Sequence, residues 1–146
     1  MNIAFLINNM GKSELVDKIL KVTDEAKSKF PIQIFYQNLV PTSANSTVLN
    51  MNAHGLCGYK GKLICCGLDQ AMFAHTSKSK TENYLYLYPL SWLQTPILYD
   101  SILQSLGGYK KIFVPSEDYK NIVYNLSGLE NIYVLEEFGE ILNCLN

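Results

Sequence analysis

Residues 109–135 read YKKIFVPSEDYKNIVYNLSGLENIYVL, and this stretch decides the fold. Ile112-Phe113-Val114 is a short apolar run of the kind that forms a buried strand, and Pro115, with no N–H to give to a ladder, stops it. Ser116 stands where a helix N-cap belongs. Glu117 and Asp118 follow in the first turn, where negative charge suits the helix dipole. Tyr119, Ile122, Val123 and Leu126 recur at helical spacing, Gly128 closes the helix, and Ile132 to Leu135 is the next strand. Strand, helix, strand in this length is a βαβ unit with parallel strands.

Working outward, the pattern repeats. Residues 2–8 (NIAFLIN) form a continuous apolar run, expected as a central strand buried on both faces. Residues 13–30 carry Leu15, Val16, Ile19, Leu20, Val22 and Ala26 on one side of an amphipathic helix that Pro31 ends. Residues 32–36, 62–66 and 84–88 are further strands, and helices are expected at 68–75, 96–106 and 136–145. Residues 37–59 are irregular and rich in Asn, Ser, Thr and Gly, with a short strand candidate at 48–51. This irregular insertion, near 37–60, reads either as a surface excursion or as a site loop. The expected architecture is a single α/β domain over residues 1–146: a Rossmann-like, mostly parallel sheet with helices on both faces.

Composition narrows the function. The chain of 146 residues is 48% apolar and 17% charged, with a net charge of −1. All twelve basic residues are lysine, so bidentate arginine clamps on phosphate or guanine are absent from this sequence. No nucleic acid and no membrane is expected as a partner, and the N-terminal apolar run is too short for a signal peptide or a span. A cytoplasmic location follows as the expectation, with Cys57, Cys65, Cys66 and Cys144 as free thiols, buried as small apolar residues.

In a parallel α/β sheet, ligands bind beyond the carboxyl ends of the strands, near a topological switch point. That rule picks out Asn8, Asn9 and Gly11 after the first strand, Gln37 and Asn38 after the second, Asp69 after Cys66, Tyr88, and Ser116 with Glu117. Asn8, Asn9, Gly11, Tyr88 and Ser116 are the ligand-binding candidates. Glu117 and Asp69 are the carboxylates that could act as a base or hold a sugar hydroxyl, although a carboxylate in a first turn also serves the helix dipole. Tyr88 and Trp92 could stack on a flat ligand. The turn at 115–117 is expected beside the ends of the first strand and of strand 84–88.

Other chemistries lack their patterns. Gly11-Lys12-Ser13 resembles the end of a P-loop, but the position of its first glycine is Leu6, inside a strand. No Gly-x-Gly-x-x-Gly is present, so no dinucleotide cofactor is expected. Cys65 and Cys66 are adjacent in a strand and face opposite ways, and no Cys-x-x-Cys exists, so no metal is expected. His54 with Cys57, or His75 with Cys66, would be a thiol–imidazole pair only if the fold joined them.

The layout resembles the N-terminal Rossmann-like half of the GT-B glycosyltransferases. The likeness rests on INNMGKS (7–13), KLICCGLDQAMFA (62–74), YLYLYPLSWL (84–93) and IFVPSEDYKNIVYNLSG (112–128). It implies a sugar or nucleotide-sugar ligand at the carboxyl edge. Relatives often carry acidic residues after the fourth strand, where this sequence has Pro89 and Ser91. They also need a second Rossmann domain with basic residues for the donor diphosphate. The resemblance therefore implies a domain incomplete as an enzyme alone, a subunit or a binding domain. The competing expectation is a non-enzymatic module that binds another protein or a second copy of itself.

Overall fold

A computed structural model describes residues 1–77, 80–88 and 99–145. Seven strands form one sheet: β1 (Ile3–Ile7), β2 (Ile32–Tyr36), β3 (Leu49–Asn52), β4 (Lys60–Cys66), β5 (Lys80–Tyr86), β6 (Lys111–Val114) and β7 (Ile132–Val134). Their spatial order is β3-β2-β1-β4-β5-β6-β7, and every adjacent pair is parallel. The expected Rossmann-like α/β layout is what forms. The order reverses between β1 and β4, which makes that the switch point.

Each face has its own apolar layer, as alternating side chains require. Ile3, Phe5 and Ile7 of β1 point to one face with Ile64, Cys66, Tyr84, Tyr86 and Phe113. That face is covered by α1 (Glu14–Ala26) and a C-terminal 3-10 helix (Phe138–Leu145). Ala4, Leu6, Leu63, Cys65, Leu85, Ile112 and Val114 point to the other face. There they meet α2 (Leu68–Thr76), α3 (Tyr99–Leu106) and α4 (Glu117–Ser127). The two adjacent cysteines thus part to opposite faces.

The unit at 109–135 forms as its sequence dictates. Ser116 Oγ accepts the Tyr119 N–H at 3.4 Å, and Gly128 ends α4 in the left-handed region at φ 68°. Several details differ from expectation. α1 stops at Ala26 rather than Phe30; the residues before Pro31 wind into a turn whose Lys29 and Phe30 N–H groups both reach the Ala26 carbonyl. β5 starts at Lys80, inside the stretch expected to be loop. The C-terminal helix is 3-10 rather than α: Gly139 weakens α preference, and Glu140 N–H bonds the Glu137 carbonyl. Its last carbonyls are held from the sheet: Lys62 Nζ and Tyr84 Oη donate to Leu145 O, and Lys111 Nζ donates to Cys144 O at 2.7 Å.

Residues 37–59 are built into this sheet. They supply β3 as its edge strand, and a 3-10 turn (Ala53–Gly58) returns the chain to β4. The loop before β3 is tied to α1, where Thr47 Oγ1 and Lys27 Nζ each donate to Asp24 Oδ1 at 2.6 Å. The bonds from Lys27 and Thr47 hold the Asp24 carboxyl below its ordinary value. A depressed folded pKa means that this tie is complete above the unfolded pKa and is lost as pH falls through the folded one. The Thr47 and Val48 amide resonances should therefore shift only in acid below the usual carboxylate range. In Asp24→Asn that transition should vanish, and an unchanged titration would refute the tie.

Candidate functional site

The carboxyl edge carries two polar groups of residues. At the switch point, β1 runs into the Asn8–Lys12 turn and β4 runs into Gly67 and α2. Asn38 Nδ2 donates to Asn8 Oδ1 at 2.6 Å, and Gln70 Nε2 donates to Gln37 Oε1 at 2.6 Å. Asn9 folds its side chain back, so that its Oδ1 accepts the Gly11 N–H at 2.9 Å. Ser13 then caps α1 through the Val16 N–H. Asn9 and Gly11 thus serve the turn in this geometry, while Asn8, exposed, is bonded to Asn38 just beyond the end of β2.

The start of α2 is different from those of α1 and α4. Gly67 takes its N-cap position at φ 118°, ψ 167°, with no side chain capping the helix. Such backbone angles are open essentially only to glycine. Among the described residues no side chain caps the first-turn N–H groups of α2. Gln70 is only 5% exposed. Its Oε1 lies back over Gly67, 2.7 Å from where a Cβ there would stand. Among the described residues that oxygen has no partner, which a buried carboxamide does not normally tolerate. Asp69 sits beside it in the first turn, exposed and without an ion pair among the described residues.

The second group lies at β5 and β6. Tyr88 is half-buried; its ring is 6.0 Å from Tyr119, and Lys18 Nζ of α1 stands 6.0 Å from its centroid. Lys18 also pairs with Glu14 at 2.6 Å. Tyr86 lies beneath, 6.5 Å from Tyr88, and its hydroxyl pKa is pushed up to about 12 by burial and then by its neighbours. Ser116 is occupied as the cap of α4, and exposed Glu117 approaches Lys120 at 3.9 Å. Both line a groove of about 370 Å³ with Pro115, Val134, Glu136 and Glu140.

The candidates therefore do not meet at one point. Asn8, Asn9, Gly11 and Asp69 gather at β1 and β4, Ser116 and Glu117 at β6, and Tyr88 lies between them. The turn at 115–117 is beside β5, as expected, but not beside β1. β4 and β5 stand between β1 and that turn, so the end of β1 and the end of β6 are three strand spacings, about 14 Å, apart. α1 spans part of that gap through Lys18. Trp92, Pro89 and Ser91 lie outside the described residues. Gln70 was missed by the motif reading, because a glutamine three residues into a helix is ordinary until burial and an unpartnered oxygen mark it.

The thiol chemistries separate in space. Cys66 and His75 belong to opposite faces of the sheet. Burial pushes the Cys65 thiol up to about 12 and the Cys66 thiol well above its ordinary value, so neither ionises readily. Cys57 is exposed, not buried, and its Sγ donates to Ser77 O at 3.7 Å, while the His54 ring lies against Phe73 at 6.5 Å. Among the described residues no group of three or more His, Cys, Asp or Glu could hold a metal ion. No helix among them is long and apolar enough to cross a membrane.

Fold and edge together define a Rossmann-like α/β protein with a cluster of polar side chains at its switch point. No protein-family model matches the sequence, and no curated protein matches it.

Proposed function

We propose that this chain is a glycosyltransferase-like domain that binds a sugar, or the sugar and ribose of a nucleotide-sugar, between the ends of β1 and β4. The observation that carries the reading is the buried Gln70 Oε1, without a partner among the described residues, above the start of α2, which no side chain among them caps. The N–H groups of a helix start, carboxamides that both donate and accept, and one exposed carboxylate suit a ligand bearing several hydroxyls. A diphosphate is served less well: no arginine is present, and Asp69 stands in the cluster. Tyr88, at the next strand end, offers an aromatic face for the rest of the ligand. Asp69 would accept a hydroxyl proton or hydrogen bond, and Glu117 lies too far along the edge to share the same hydroxyl. Transfer chemistry would need groups from a second domain or chain, as the resemblance to the GT-B enzymes implies.

The test is a titration of the labelled protein with UDP-sugars, UDP and free hexoses, followed by amide resonances. The Asn9, Gly67 and Gln70 signals should move together, and Gln70→Ala should weaken binding about tenfold, the scale of one or two lost hydrogen bonds. Glu117→Ala should leave it within about twofold. Immobile switch-point resonances at millimolar ligand would overturn the proposal.

A further inference from the structure

We propose that two copies of this chain pair through β3, antiparallel across a two-fold axis, to join their sheets into one. The two edges of the sheet differ in a way that selects this one. β7 is hemmed by Glu130, Glu136, Glu137 and Glu140, and two such edges brought together would repel. β3 lies within residues 37–59, twenty-three consecutive residues with no Lys, Asp or Glu in a chain that has twelve basic and thirteen acidic residues. β3 itself has no proline. An edge strand offers a row of unpaired N–H and C=O groups, and charge or proline is the usual protection against pairing.

The side chains fit the same occupant. β3 pairs with β2 in the register Gln33↔Leu49 and Phe35↔Met51, so Leu49 and Met51 share the face of Phe35. On that face the short 3-10 turn (Ala53–Gly58) covers Phe35 of β2 but leaves Leu49 and Met51 of β3 exposed. A groove of about 740 Å³ runs there, lined by Phe35, Leu49, Met51 and Tyr59, with Gln33 and Lys60 among its polar members. Leu49 is 61% exposed and Met51 38%, both large apolar side chains in water. A two-fold centred on Asn50 sets Leu49 of each copy opposite Met51 of the other, all four on the groove face. β3 itself offers a charged peptide no complement, Lys60 standing in the groove rather than on the edge strand, whereas an identical neutral strand meets no repulsion from β3. This pairing does not depend on the cluster at β1 and β4, which lies at the carboxyl ends of the strands.

The experiment is sedimentation velocity of the whole chain in a Cys57→Ser background, from about 1 to 200 µM. The expected result is a reversible monomer–dimer equilibrium. Leu49→Lys and Met51→Glu should each sediment as monomers, with circular dichroism unchanged. Mixed, they should form a heterodimer, because the two-fold register brings the introduced charges face to face. Asn50→Cys should cross-link under mild oxidation, while Tyr133→Cys on the other edge should not. A monomer at 200 µM, a dimer that survives Leu49→Lys, or two folded variants that fail to recombine would each overturn the proposal.

Discussion

Phe5→Ala is expected to remove about 3–5 kcal/mol of stability, and in a chain this size that is a large share of the total. Phe5 is 0% exposed in the central strand, paired with Ile34 on one side and Ile64 on the other. Its ring lies 6.2 Å from Phe138, which in turn meets Tyr86 edge-on at 4.8 Å. Truncation would open a cavity where β1, α1 and the C-terminal 3-10 helix converge, and backbone hydrogen bonding on both sides of β1 prevents collapse into it. The melting temperature should fall by about 10 °C or more. Tyr133→Ala, on the exposed edge strand β7, is the control and should cost far less. A loss at Phe5 no larger than at Tyr133 would contradict this core.

The second large effect is expected at Gly67. Gly67→Ala places a Cβ on a backbone at φ 118°, ψ 167°, and 2.7 Å from Gln70 Oε1. The backbone strain alone is worth about 1–3 kcal/mol. Relief requires either rotation of the peptide at the end of β4 or displacement of the Gln70 side chain, and each alters the proposed site. Denaturant unfolding should register the strain, and ligand titration should show weakened binding beyond what the lost stability explains. Gly108→Ala is the comparison: φ there is 105°, yet a Cβ would meet nothing within 4 Å. It should lower stability without touching binding. Full binding in a folded Gly67→Ala protein would remove the start of α2 from the site.

Much of the fold was legible because its signals are local. Pro115, Ser116 and Gly128 act on the backbone within a few residues, and the apolar runs at β1 and β4 are continuous because both faces of those strands are covered. The C-terminal segment was harder, since its winding is decided by Gly139 and by lysines that reach it from β4 and β6. The site was legible only as a rim. Asn8 and Asp69 follow from the rule that ligands sit beyond strand ends, but the distance between Asp69 and Glu117 depends on strand order.

The sequence by itself determined the strand–helix alternation, the caps of α1 and α4, the absence of arginine, and the uncharged run from 37 to 59. The tertiary structure alone decided that this run supplies an edge strand, that β4 and β5 stand between β1 and the turn at Pro115, and that Gln70 is buried with an oxygen unmet among the described residues. The physical reason is range. Capping, backbone preference and periodicity act between near neighbours, whereas strand order, burial and hydrogen-bond satisfaction depend on residues brought together from distant parts of the chain.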